Sequence, residues 1–303
     1  MKNALAPICL FAYNRPWHTK QMIEALVKNE LANESELLIF SDGPKDDESK
    51  QRVAEVRSYL KNITGFKSIT IIERTKNYSL AKSIISGVTE VINKYGKVIV
   101  MEDDLVSSPY FLKYMNEALD LYESEEKVIS IHGYIYPVKA KLPETYFIKG
   151  ADCWGWGTWK RGWALFEADG QKLLNKLREK KLTKEFDFNN SFDYTGMLEN
   201  YIKGKNNSWA IRWYASAFLQ NKLTLCPGKS LINNIGLDGT GTHCTENNND
   251  FNADIYQKEI KLNKISIEEN KLAKKIISKY FESINPGYKE RIINKIKKIW
   301  KIR

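Results

Sequence analysis

The sequence predicts an α/β fold built on a mostly parallel sheet with helices on both faces, and three observations predict it. Short apolar, strand-like runs recur through the first 134 residues. Amphipathic helical patterns separate them, and each run ends abruptly in polar or charged residues. That rhythm belongs to strand–helix–strand units, whose crossover helices cover the sheet.

Taken in order, ICLFAY (8–13) reads as the first strand. The segment Trp17 to Asn29 places Met22, Ile23, Leu26 and Val27 on one helical face. ELLIFSDG (36–43) is the second strand, followed by a polar amphipathic segment over 46–61. SITIIE (68–73) precedes a helix carrying Leu80, Ile84, Ile85, Val88, Val91 and Ile92. KVIVMED (97–103) leads to a helix opened by Ser108 as N-cap with Pro109 in its first turn. KVISIHGY (127–134) is a fifth strand.

After residue 134 the rhythm breaks. CWGWGTWKRGW (153–163) holds four of the eight tryptophans, and helical segments are expected around 169–181, 192–203 and 208–220. NNIGLDGTGTHCTENNND (233–250), rich in Gly, Asn and Thr, predicts a mobile loop. In the last segment, 286–303, Ile292, Ile293, Ile296, Ile299 and Trp300 fall at helical spacing with Lys and Arg on the other faces. Such a basic amphipathic helix either lies on an anionic membrane surface or packs back on the domain.

Composition narrows the classes. The 303 residues are 43% hydrophobic, enough for one large core or a core with an appendage. No apolar run is long enough to predict a membrane-spanning helix. The N-terminus lacks the pattern of a signal peptide, so the mature chain is expected to start there. The four cysteines (Cys9, Cys153, Cys226, Cys244) form no CxxC pair, which argues against structural zinc or a disulfide framework and for a reducing cytoplasm. The net charge of +10 is uneven: residues 1–150 hold 20 basic against 20 acidic side chains, residues 251–303 hold 14 against 6. That distribution excludes a general nucleic-acid binder and points to one local anionic contact, such as a peripheral contact with the inner face of the cell membrane.

In parallel sheets ligands bind beyond the carboxyl ends of the strands. There this sequence places Tyr13-Asn14-Arg15-Pro16, then Ser41-Asp42-Gly43-Pro44, then Glu73-Arg74-Thr75-Lys76-Asn77, then Glu102-Asp103-Asp104. No GxGxxG or GxxxxGKT loop is present, so neither a dinucleotide dehydrogenase nor a P-loop NTPase is supported. Acids at a strand end suit a hard cation, Mn²⁺ or Mg²⁺, that also holds phosphate oxygens. Arg15 and Arg74 suit phosphate. Asp42 and Asn77, on tight turns, suit the edge of a nucleobase. The tryptophans offer flat faces for sugar rings, although at least half are expected to be packing residues.

The order of AYNRP, SDGP, RTKNYSLAKSI, VIVMEDD, CWGWGTWKRGW, SWAIRW and NNIGLDGTGTHC resembles that of nucleotide-sugar glycosyltransferases with the GT-A, Rossmann-like fold. It is most similar to bacterial surface-polysaccharide enzymes related to family 2 and to the N-acetylglucosaminyltransferase I group, over roughly residues 6–246. The resemblance implies a catalytic domain over 1–250, with a nucleotide-sugar-binding half (1–134) and a helical acceptor-side half (135–250), then a basic helical tail (251–303). It implies that Asp104 is the metal ligand, that Glu102 and Asp103 hold ribose and donor-sugar hydroxyls, and that Arg15, beside Asn14, meets the diphosphate. Asp42 would accept the uracil N3 proton, with Asn77 placed to help read the base, and His243 would reach the diphosphate or metal. Trp154, Trp156 and Trp209 would stack on sugar.

The pattern departs from the family at the catalytic base. Where the related enzymes carry an aspartate before a tryptophan, KNNSWAIRW (205–213) has Asn207 and Ser208. Asp152, Asp193 and Glu199 are the neighbouring carboxylates that would substitute, unless the chemistry is retaining and needs no such base. The implied activity is transfer of a sugar from a nucleoside diphosphate, a UDP-sugar, to a glycan or lipid-linked glycan. The alternatives are a sugar-nucleotide nucleotidyltransferase and an inactive glycan-binding protein of the same fold.

Overall fold

The computed structural model describes residues 4–239 and 249–285. His243, Cys244 and the basic segment 286–303 lie outside the described residues. The elements in chain order are β1 (Ile8–Ala12), α1 (Pro16–Val27), β2 (Glu36–Ser41), α2 (Asp47–Leu60), β3 (Ser68–Glu73), α3 (Ser79–Tyr95), β4 (Lys97–Glu102), β5 (Leu105–Ser107) and α4 (Phe111–Leu121). They continue as β6 (Val128–His132), β7 (Thr145–Lys149), β8 (Trp156–Trp159), α5 (Lys160–Trp163), α6 (Gly170–Glu179) and α7 (Thr183–Phe186). The last are α8 (Tyr194–Ile202), α9 (Ala210–Leu219), β9 (Leu223–Pro227), β10 (Ile232–Asn234) and α10 (Lys271–Ile284).

Eight strands form one sheet in the order β3-β2-β1-β4-β8-β6-β9-β7. The strands β3, β2, β1, β4, β6 and β9 run in one direction, while β8 and β7 run against it. The expected mostly parallel α/β sheet is therefore present. β1 is central and buried on both faces. Its Ile8, Leu10 and Ala12 join the core under α1, α2 and α4, and Cys9 and Phe11 join the core under α3.

Local chemistry sets the helix ends. Pro16 opens α1, where its missing N–H is no loss. Asp46 and Ser49 form a reciprocal capping box on α2. Gly96 closes α3 at φ 81°, a left-handed conformation that glycine adopts without strain.

Three expectations change. The helix assigned to Ser108 and Pro109 begins instead at Phe111, because Leu105–Ser107 is drawn into a two-stranded ribbon with β10. Ser108 spends its groups elsewhere: its N–H donates to Leu231 O (2.8 Å) and its hydroxyl to Tyr256 O (2.6 Å). In the second half the helices expected around 169–181, 192–203 and 208–220 are present as α6, α8 and α9, but β7, β8 and β9 extend the main sheet where no strand was expected. The expected loop likewise starts later, because Ile232–Asn234 is strand. On this side α10 buries Ala273, Ile277 and Phe281 in a core with Tyr146, Leu174, Tyr214 and Phe218.

The tryptophan-rich segment is mostly core. β8 runs antiparallel between β4 and β6, and Trp156 packs against Trp163, Trp209 and Trp213 with ring centroids 5.5–5.8 Å apart. Trp156 is 0% and Trp209 3% exposed. Neither ring has a face for a sugar, which corrects the stacking role expected for them. Removing this cluster's centre leaves a large void. Trp156→Ala is expected to cost about 3–5 kcal/mol, read as a lowered urea midpoint. A midpoint within error of wild type would return Trp156 to the ligand-facing set.

Candidate active site

In the sheet order 3-2-1-4, β1 is joined to β2 on one side and to β4 on the other. The chain leaves β1 and β4 at a topological switch point, where a crevice opens beyond the carboxyl ends. Phe11 lies opposite Glu102 in register, so the residues after both strands meet. The Arg15 Nη1 donates to Asp104 Oδ2 at 2.9 Å, and the Tyr13 N–H donates to Asp103 Oδ2 at 3.0 Å. Asn14, half-buried, lies between them in the chain.

The three acids therefore share one confined space. Burial, then the charges of Asp104 and Asp103, hold the Glu102 carboxyl well above the usual carboxylate range. Burial and Asp104 push Asp103 up to about 7, against the Tyr13 N–H and Arg15, which pull it down. Asp104 is also raised by burial, with Arg15 as the strongest opposing influence. Crowded carboxylates of this kind favour a positive partner.

A late segment closes over the pair. The β5–β10 ribbon brings Ile235 in, whose N–H donates to Asp104 O at 2.9 Å. At the next residue only glycine fits: a Cβ on Gly236 would overlap Asp104 Oδ2 and lie 2.6 Å from Arg15 Nη1. Asp238 then reaches Arg15 Nη2 (3.2 Å) and His18 Nε2 (3.0 Å), and His18 Nε2 is 2.8 Å from Arg15 Nη2. Burial and the neighbouring Arg15 charge lower the His18 pKa, opposed by Asp238. Neither Asp238 nor His18 was singled out from sequence; 220 residues separate them.

The ends of β2 and β3 are clamped together. Asp42, 5% exposed, accepts from the N–H groups of Gly43 (2.9 Å) and Tyr78 (2.9 and 3.1 Å). Asn77 donates to Gly43 O and accepts from the Ser79 N–H. Arg57 of α2 donates to the carbonyls of Asp42 (3.1 Å) and Arg74 (2.7 Å) and pairs with Glu73 (3.4 Å). Sequence reasoning missed Arg57, which reaches the rim from the last turn of α2. Arg74 lies over the Tyr78 ring (4.1 Å) and donates to Ser86 Oγ. Asp42, Arg74 and Asn77 thus gather where a base-binding edge was expected.

On the opposite side of the crevice, Asp152 follows β7. Its Oδ2 accepts from the Tyr136 hydroxyl (3.1 Å) and its Oδ1 from the Cys153 N–H (2.8 Å). Burial, then the charges of Asp152 and Glu102, hold the Cys153 thiol well above its usual range. Trp154, half-buried, packs on Tyr134 and Phe251 and donates its backbone N–H to His132 Nε2 (3.3 Å). The other two candidate bases are engaged elsewhere. Asp193 caps α8 by accepting from the Gly196 N–H, and Glu199 pairs with Arg178 (2.8 Å) and Lys203 (3.7 Å).

For a divalent cation the donor set is informative. Among the described residues no group of three or more His, Cys, Asp or Glu side chains forms a cage. One or two carboxylates at the crevice, with the rest of the shell left to phosphate oxygens and water, is the arrangement that suits Mg²⁺ or Mn²⁺ in a nucleotide site. Asp104 fits this, being partly exposed and beside Arg15.

Residues 1–137 match the family model described as the GNT-I family, a little under half of the chain. No curated protein matches the sequence. Among solved structures, the chain is similar to the mannosyltransferase PcManGT from Pyrobaculum calidifontis in complex with GDP-Man and Mn²⁺ (11% identity, 45% of this chain and 36% of that one, TM-score 0.34). It is also similar to S. aureus TarS 1-349, alone (12% identity, 59% and 49%, TM-score 0.36) and in complex with UDP-GlcNAc (12%, 46% and 37%, TM-score 0.33). The chain spans less than half the length of these structures. Among the described residues no helix is long and apolar enough to cross a membrane.

His132, 2% exposed, has its pKa lowered by burial, with Asp152 opposing. Below pH about 6.5 the unfolded chain binds a proton that the folded state resists, so this residue's share of stability falls as pH falls. His132→Gln keeps an acceptor for the Trp154 N–H and removes the titration. The melting temperature of wild type is expected to drop more between pH 7 and pH 5 than that of the variant. Parallel curves would show that His132 is not held neutral.

Proposed function

We propose that the protein transfers a sugar from a nucleoside diphosphate sugar, a UDP-sugar, to a glycan or lipid-linked glycan of a bacterial surface polysaccharide. The observation that carries this reading is the Arg15–Asp104 pair at the switch point, set among three crowded acids. In it, Arg15 binds diphosphate oxygens through a charge-assisted fork. Asp42, with one lone-pair site left after its three backbone contacts, accepts from the base, and Asn77 and Arg74 border that edge. Glu102 and Asp103 hold hydroxyls of the ribose and donor sugar.

Asp104 is the proposed ligand for Mn²⁺ or Mg²⁺, which when bound neutralises charge on the leaving diphosphate. Asp152 is the proposed general base. It takes the proton from the acceptor hydroxyl as that oxygen bonds to the sugar's anomeric carbon and the bond to the diphosphate breaks. Its orientation by the Tyr136 hydroxyl and the Cys153 N–H supports this choice over Asp193 and Glu199. Trp154 is the remaining tryptophan of the expected stacking set, and it is half-buried rather than enclosed in the core.

Calorimetry tests the donor and metal together. UDP is expected to bind more tightly with Mn²⁺ than without, and Asp104→Ala is expected to lose that difference while its melting curve stays cooperative. UDP binding indifferent to Mn²⁺ in the wild type would sink the metal assignment. Released UDP, rather than pyrophosphate, separates this activity from a nucleotidyltransferase.

Asp152→Asn is expected to lower kcat by roughly 10²–10⁴ with donor KM little changed. A variant with wild-type kcat would remove Asp152 from the chemistry.

A further inference from the structure

Away from the acids, a cavity of about 650 Å³ lies between α3 and the start of α9. On the α3 side it is lined by Lys82, Ile85, Ser86 and Glu90, and on the other by Asn207 and Arg212. It opens beside the rim: the Asn207 Nδ2 donates to the hydroxyl of Ser79, the first residue of α3, at 3.4 Å. Ser79 itself is held at φ 62°, an uncommon conformation for a residue with a side chain.

Arg212 is the residue that needs explaining. It is 5% exposed, and a buried guanidinium ordinarily has an acidic partner. Its Nε donates to Ser208 O (3.2 Å) and its Nη1 to Ala168 O (3.3 Å), and it stacks over the Tyr201 ring at 4.4 Å. No salt bridge reaches it among the described residues, and Tyr201 is the one ionisable group that acts on its pKa, which burial lowers. Glu90 lines the same cavity but forms no salt bridge with Arg212. A second cation, Lys82, stands on the facing wall, with its ammonium over Tyr78 at 4.4 Å. An apolar floor with a few converging polar groups and an uncompensated buried cation is a binding site for an anion carried on a larger molecule.

We infer that this groove binds a saccharide bearing a carboxylate or phosphate group, with its anion at Arg212 and Lys82. It rests on the transferase reading only in naming that saccharide as the acceptor, whose reacting end would reach the rim past Asn207 and Ser79. Two backbone carbonyls and an aromatic face position the guanidinium without neutralising it, which leaves the counter-charge for the ligand to supply. The amide of Asn207 then stands between the groove and the rim, where it can meet saccharide hydroxyls.

The test is calorimetry on the full chain, without donor, using four probes. These are a hyaluronan tetrasaccharide (carboxylate), a glycerol phosphate oligomer (phosphate), chitotetraose (neutral) and inorganic phosphate. One or both anionic oligomers are expected to bind, with chitotetraose weaker by about tenfold or more, as for loss of a hydrogen bond to a charged group. Binding by hyaluronan alone supports the carboxylate form; binding by the glycerol phosphate oligomer alone supports the phosphate form. Arg212→Gln and, because Arg212 also braces the fold, Lys82→Ala are each expected to weaken that binding by about tenfold. Both should keep UDP binding at wild-type strength. Equal binding of neutral and anionic oligomers, binding of inorganic phosphate alone, no binding at all, or unchanged binding in Lys82→Ala and in folded Arg212→Gln would overturn the inference. Loss of UDP binding by the wild type would instead overturn the transferase reading, leaving the groove result to stand by itself.

Discussion

The Arg15 guanidinium sits where β1 and β4 deliver their last residues side by side, 2.9 Å from Asp104 and 3.2 Å from Asp238. Three consecutive acids end β4, and burial raises the pKa of each. Without a fixed cation such a cluster would repel itself or take up protons. Arg15 holds that place because Pro16 starts α1 immediately after it, and the Thr19 N–H bonds back to Arg15 O at 3.0 Å. The late segment depends on the same pair. Gly236 can lie against it only because it has no Cβ, and Asp238 is brought to Arg15 as a result. One ion pair therefore links the start of the chain, the acidic strand end and a loop more than 220 residues away.

The other side of the crevice is organised by backbone contacts. Asp42 and Asn77 tie the β2 end to the turn before α3, and Arg57 bonds the carbonyls of both strand ends. Gly43 allows this approach: a Cβ there would come within 2.6 Å of Lys76 C. A rim fixed by main-chain hydrogen bonds holds its geometry before a ligand arrives, which lowers the ordering cost of binding. The polar side chains at these strand ends thus serve the scaffold and the site at once.

Much of this was legible in the sequence, and the part that was not has a physical cause. Strands β1 to β4 and β6 are apolar runs ending in polar residues, and each was placed to within two residues; buried parallel strands such as β1, β4 and β6 leave that signal, and the edge strand β3 shows it as an alternation of exposed and half-buried residues. β5, β8 and β10 were missed because they are only three or four residues long, and β7 and β9, though as long as β1, because no helical pattern follows them to mark a strand–helix unit. The tryptophan segment was visible as a cluster, but sequence cannot distinguish a ring that faces a sugar from one that faces another tryptophan. Trp156 and Trp209 proved to be the latter. Asp238, His18, Arg57 and the isolated charge of Arg212 gain meaning only from neighbours distant in the chain. Asp152 was named from sequence among three equals, and its contacts with Tyr136 and Cys153 distinguish it from the other two.

Charge balance at the crevice bears on how an anionic donor enters it. Glu102, Asp103, Asp104 and Asp238 face Arg15 as the one permanent cation among the groups described there, since burial and Arg15 itself hold His18 towards its neutral form. Even with one or two of these carboxyls protonated, the crevice is at best near neutrality, and a bare diphosphate would gain little from it. A diphosphate accompanied by a dication meets the opposite situation: the carboxylates complete the cation's shell and Arg15 is left to the phosphate oxygens. In the proposed reading, the acids that make the empty crevice costly would be the groups that make it selective for a metal–nucleotide pair over either component alone.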